Sequence, residues 1–137
     1  MAKHAQHVVL IHFPIALFMT GVALDLLCRG KRTSQLAWAA YLNISLAAAT
    51  VFPVVGTGLL AWKFALEGEK LKGLLLWHLM AALVSALLVI ASWFLHWRTR
   101  KADLALLPAS RIPVELLGVA GIALTAHLGG FLSGVNL

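Results

Sequence analysis

Six histidines stand among 137 residues of which only 12% are charged. In apolar surroundings an imidazole can ligate haem iron, copper or zinc, carry a proton, or hydrogen-bond across helices. Spacing narrows which of them can act together. His78 and His96 are about five helical turns apart, so they share a face, but about 27 Å separates them, too far for paired centres on that face. His7 lies about 140° around a helix from His12, which makes it a weak candidate for the centre that His12 faces. His4 precedes the apolar run and reads as solvated. Other ligand types are scarce. Cys28 is the one cysteine, which excludes an intrachain disulfide and a cysteine-built zinc or iron–sulfur site. Catalytic zinc commonly adds a carboxylate, and a di-iron bundle needs several core glutamates. Here Glu67 and Glu69 fall between apolar runs, and Glu115 lies at the opposite end from His12 and His78. Haem or copper suits this donor set best.

Four apolar runs must position these side chains. The chain is 61% hydrophobic with a mean hydropathy of +0.92, well above the roughly 45–50% apolar share of soluble domains. That composition excludes a soluble globule, a disordered tail and a nucleic-acid binder. A span needs roughly 20 apolar residues to cross about 30 Å of hydrocarbon. The runs 8–28, 36–62, 73–97 and 113–137 qualify, and at 14.7 kDa they form one domain. Runs this long satisfy their backbone in lipid as helices, and short loops make neighbours antiparallel. The expected fold is all-α, an integral-membrane up-down four-helix bundle.

Local signals refine the ends. Pro14 and Pro53 fall inside spans and predict kinks; Pro113 suits a first helical turn, with Ser110 as a cap. The first run does not read as a cleaved signal peptide, because it is long, carries Pro14 and Asp25, and lacks a small-x-small cleavage site. Orientation follows from the basic residues. Arg29, Lys31, Arg32, Arg98, Arg100, Lys101 and Arg111 flank one side, against Lys3, Lys63, Lys70 and Lys72 on the other. The richer side is expected to be cytoplasmic, with both termini outside.

Depth then sorts the histidines. His12 lies about 6 Å inside the outer boundary, His78 about 8 Å, and His127 about 9 Å, so three helices deliver an imidazole to one layer. His96 falls at the inner interface beside Trp93 and Trp97 and reads as part of an aromatic belt. In an up-down bundle the first and third helices are diagonal, with roughly 13 Å between axes and about 8–9 Å between facing Cα atoms. That gap is near what two imidazoles and an iron require. His12 and His78 are therefore the expected axial ligands. His127, on a helix whose diagonal partner has no histidine, reads as an outer-shell residue, an alternative ligand, or the partner of His7 in a second centre. Gly129 and Gly130 after His127, and Gly56 and Gly58 on the second span, would let a flat group approach a backbone. Gly118 and Gly121 read as ordinary packing glycines. Trp62 and Trp77 read as belt residues against which a quinone could stack.

The segment His7-Val8-Val9-Leu10-Ile11-His12-Phe13-Pro14-Ile15, with Thr57-Gly58-Leu59-Leu60-Ala61-Trp62, His78 and His127-Leu128-Gly129-Gly130, resembles a bacterial four-span membrane family, the domain of unknown function twenty-two thirty-one. The resemblance covers nearly the whole chain. That family is similar to small b-type cytochromes, with some members joined to Rieske-type domains, which implies electron transfer at the outer membrane face. Val8 departs from the family's proline, Ala61 from an acid before the tryptophan, and the end at Ser133-Gly134-Val135-Asn136-Leu137 lacks a further Tyr-x-His-Gly. The missing last histidine leaves His7 without a counterpart in a second centre.

The resulting expectation is a haem b protein of the bacterial cytoplasmic membrane, an electron-transfer subunit or module rather than a free-standing enzyme. Its metal-side residues are His12, His78 and His127. Its implied partners are membrane lipid, a quinone and redox proteins at the outer face, with room for self-association in an oligomer. Two other classes use the same residues: a copper or other transition-metal protein, and a structural or assembly subunit whose histidines only bond between helices.

Overall fold

The computed structural model describes residues 5–65, 67–68, 70–101, 103 and 107–133. Five helices account for nearly all of them: α1 (Ala5–Leu10), α2 (His12–Lys31), α3 (Ser34–Ala65), α4 (Gly73–Thr99) and α5 (Arg111–Leu132). Four segments are long and apolar enough to cross a membrane: Gln6–Lys31, Ser34–Phe64, Gly73–Thr99 and Arg111–Leu132. The chain is an all-α helical bundle. The last helix stops at Leu132, short of the expected span end, and 134–137 lie outside the described residues, as does His4.

The first span is broken where Pro14 predicts it. A proline at that position has no N–H for the Leu10 carbonyl and crowds it. The helix accordingly separates at Ile11 into α1 and α2, bridged by the Ile11 N–H to the His7 carbonyl at 3.0 Å. Pro53 behaves differently, for α3 runs unbroken past it. Pro113 sits in the first turn of α5, where its missing N–H leaves no bond unmade, but Ser110 makes no side-chain cap.

The helices form a closed ring. α2 packs chiefly on α3 and α4 on α5; α3 meets α4, α5 meets α2, and α1 lies on α3. α2 and α4 are therefore diagonal, as are α3 and α5. The core joins Phe18 and Val22 of α2 to Ile44, Ala47, Ala48 and Val51 of α3, with Val89 of α4 and Ile122 of α5. Large apolar side chains outside it, among them Phe52, Leu87 and Leu117, are exposed to where lipid would lie.

Glycines set the closest approaches. A Cβ on Gly21 would stand 2.5 Å from Ile44 Cγ1, one on Gly118 2.7 Å from the Phe18 ring, and one on Gly121 2.7 Å from Ser85 Oγ. Phe18 is fully buried and its ring cannot swing away. Gly118→Ala is thus expected to lower stability in detergent by about 1–3 kcal/mol, the usual cost of overpacking. Gly56→Ala, with nothing within 4 Å of the added carbon, is the control. Equal melting of both variants would contradict this packing.

Candidate functional site

Polar chemistry gathers at the two ends of the bundle. At the end of the bundle nearer the N-terminus, called the outer end after the expected orientation and its opposite the inner end, the break at Ile11 separates His7 of α1 from His12 of α2. His7, half-buried, places Nδ1 3.2 Å from Thr57 Oγ1 of α3. The Thr57 hydroxyl donates to the Pro53 and Val54 carbonyls at 2.9 and 3.0 Å. With its single hydrogen on either carbonyl, the Thr57 oxygen accepts from Nδ1–H of His7. His78 of α4, also half-buried, sets Nδ1 3.1 Å from the Thr125 carbonyl of α5, which can only accept. The neutral His78 ring thus holds its proton on Nδ1 and leaves Nε2 with a lone pair, and the His7 ring does the same while the Thr57 hydrogen stays on a carbonyl. The two imidazoles are within electrostatic reach of each other.

Each ring is received by a glycine. A Cβ on Gly58 would come 3.0 Å from His7 Cε1, and one on Gly129 3.1 Å from His78 Cε1. Gly130 is half-buried in the next position, and its carbonyl accepts from Ser133 Oγ at 3.0 Å. Gly56 is exposed, away from both rings.

The expected ligands are distributed differently from the sequence-based set. His78 faces the interior. His12 is exposed, its Nδ1 bonded 2.8 Å to the Val8 carbonyl one turn back. His7, half-buried, stands where the sequence expected His12, and its ring lies within electrostatic reach of His78 of α4. His127 is exposed on α5, edge-on to Phe131 with centroids 4.8 Å apart. What α5 brings to the His78 ring is backbone, the Thr125 carbonyl and the Gly129 cradle.

The inner end holds a buried charge network that sequence reasoning missed. Asp25 of α2, 1% exposed, receives Arg29 Nε at 2.9 Å and Arg111 Nη1 at 3.1 Å. Arg29 also donates to the Leu107 and Pro108 carbonyls, and Arg111 to Thr99 Oγ1. His96 of α4 bonds Glu115 of α5 at 2.7 Å and stands 3.9 Å from Asp25. His96 is therefore no belt residue: it is 2% exposed, and Glu115 is fully buried. A depth count could have found the group. Asp25, Glu115 and His96 all lie within about 5 Å of the expected inner boundary, and ionisable residues at membrane depth usually pair.

The ligand atoms of Asp25, His96 and Glu115 lie within 4.8 Å of one another, a spacing that could hold a metal ion. The charges argue for an ion-pair clamp instead. Two arginines balance two carboxylates when the imidazole is neutral, and a divalent cation would add two uncompensated charges to a buried site. The network joins α2, α4, α5 and the segment before α5, and so ties the bundle together at its inner end.

No curated protein and no solved structure matches this chain. Residues 3–135 match the model of the family described as predicted membrane protein, DUF2231. A match over nearly the full length, on a bundle with four membrane-length helices, makes the chain a member of the DUF2231 family of predicted membrane proteins.

Proposed function

We propose that this chain is a small membrane b-type haem protein that passes electrons at the outer end of its bundle, as a subunit or module of a redox complex. The observation that carries this reading is that His7 of the first span and His78 of α4 lie half-buried at one end of the bundle, each ring against a glycine. The donor set suits the group. An imidazole whose Nδ1–H is held by an oxygen has a fixed orientation and an Nε2 ready to ligate, the outer-shell arrangement typical of metal-bound histidine. His78 and His7 would hold the iron, and Thr57 and the Thr125 carbonyl would orient them. Haem, when bound, supplies a one-electron couple whose potential follows axial ligation and burial. His127, exposed nearby on α5, would act at the rim rather than on the iron, with a propionate or a partner protein as its contact.

Purified from haem-replete cells in mild detergent, the protein is expected to carry iron porphyrin with low-spin spectra that sharpen on reduction. His78→Ala should abolish or convert that signal, while His96→Ala leaves it intact. A colourless protein with one copper per chain, or with no metal, would overturn the reading.

The cytoplasmic membrane and the outward termini belong to the same proposal, supported by seven basic residues on one side against four on the other. In intact cells, cysteines at Lys31 and Lys101 should resist an impermeant thiol reagent, and one at Lys70 should label. The reverse pattern would put the His7–His78 pair at the cytoplasmic face.

A further inference from the structure

A cleft of about 310 Å³ opens at the inner end beside the charge network. Its walls are the first two turns of α3, the end of α4 and the start of α5: Ser34, Trp38, Tyr41, Thr99, Arg100, Lys101 and Arg111 are among them. Its size falls at the low end of small-molecule sites, which span about 300–1,000 Å³.

Its electrostatics have one sign. Three of the lining residues are cationic and none is acidic among the described residues. The carboxylates that answer Arg111 lie behind the wall, where Asp25 and Glu115 are already balanced by Arg29 and Arg111. Arg100 and Lys101 are added to that neutral sum. Both α3 and α5 also begin here, and a helix N-terminus presents free N–H groups and a partial positive charge. The network behind the wall is not fully bonded, for the buried Glu115 Oε2 has no hydrogen-bond partner. Arg111 is only 4% exposed and lines the cleft, yet its Nε has no hydrogen-bond partner.

The rim has the character of a membrane interface. Trp38 is 62% exposed and packs against Tyr41 with ring centroids 5.5 Å apart. Arg100 lies over Trp97 at 5.1 Å, its guanidinium held by the Trp97 carbonyl at 2.6 Å. Aromatic rings at this level face acyl chains on one side and headgroups on the other, while basic pockets between spans take phosphate headgroups.

We propose that this cleft is a phosphate-binding site for the headgroup of an anionic membrane lipid. The phosphate oxygens would accept from Lys101, Arg100 and the Ser34 hydroxyl, with Arg111 as the buried positive charge behind them. Trp38 and Tyr41 would flank the first part of the acyl chains. The proposal is independent of the haem reading, because the two sites lie at opposite ends of the bundle.

The test compares the purified full chain with phosphatidylglycerol and with phosphatidylcholine of the same acyl chains, by native mass spectrometry and thermal melting in neutral detergent. Phosphatidylglycerol should stay bound and raise the melting midpoint, and phosphatidylcholine should do neither. Arg100→Gln/Lys101→Gln should bind phosphatidylglycerol roughly thirty-fold more weakly, at about one kcal/mol per basic residue, and melt unchanged without lipid. Lys31→Gln/Arg32→Gln removes the same charge from the same end but outside the cleft, and should bind as the parent does. Equal loss in both double variants, or equal retention of phosphatidylcholine, would overturn the site. Displacement of the lipid by inorganic phosphate would assign the cleft to a free phosphate, and resistance to displacement would assign it to the lipid.

Discussion

Asp25→Ala is expected to be the most destabilising single change in this chain, costing about 3–5 kcal/mol, as breaking a buried ion pair does. Asp25 takes both arginines, Arg29 at 2.9 Å and Arg111 at 3.1 Å. Arg29 is partly exposed and keeps two carbonyl acceptors on the segment before α5. Arg111 is 4% exposed and would keep only Thr99. The loss therefore falls on a guanidinium that is almost wholly buried. Restoring neutrality should recover much of it: Asp25→Ala/Arg111→Met removes both charges, and replacing a buried pair by apolar groups is often neutral or better. Melting of the two variants in one detergent checks this. A single variant as stable as the parent, or a double variant no better than the single, would mean that Arg111 is not held by Asp25.

The four spans were legible because hydropathy needs only run length, and the break at Ile11 was legible because Pro14 has one definite chemical consequence. Which side of each helix faces inward was not. In a soluble helix polar residues mark the outer face, whereas here Val9, Phe13 and Trp77 are exposed apolar side chains. His12 and His7 could therefore be ordered by depth but not by direction, and it is His7 that is half-buried and His12 that is exposed. The same limit hid the inner network. His96 was placed at the correct level, and its neighbours Trp93 and Trp97 suggested an interface. Its partners Asp25 and Glu115 sit on other helices, and one sequence shows depth along each helix but not the rotation that brings such groups face to face.

The two ends differ in how their polar groups are satisfied. At the inner end arginine meets carboxylate and imidazole meets carboxylate, so most charges there have a built-in answer. At the outer end the imidazoles bond neutral oxygens: His7 meets Thr57 and the Val54 backbone, and His78 meets the Thr125 carbonyl. Two half-buried imidazoles at one end of a bundle are what the proposed group would use. An inner end locked by charge and an outer end arranged around lone pairs suit a clamp and a site respectively.

His7→Ala and His12→Ala are expected to separate cleanly if that division holds. Both residues lie on the first span, five positions apart, and either could in principle face His78. His7 reaches Thr57 and fits against Gly58, whereas His12 bonds the Val8 carbonyl of its own span and is exposed. His7→Ala removes a ligand outright, so low-spin haem should be lost or converted to a five-coordinate form. His12→Ala removes only a neighbour, and an outer-shell loss typically costs 10–100-fold in affinity, so detectable low-spin haem should remain. His127→Gln, which keeps a donor and an acceptor near the ring position, should also retain it with a shifted potential. Thr57→Val tests the orientation directly: it removes the oxygen that fixes His7 Nδ1 and should weaken haem retention without removing a ligand. Visible spectra and a redox titration on the four variants read all of these outcomes. Loss of low-spin haem in His12→Ala with retention in His7→Ala would reverse the assignment and require His12 to turn inward past Pro14. Loss in His127→Gln would make α5 a ligand-bearing helix and leave either His7 or His78 without that role.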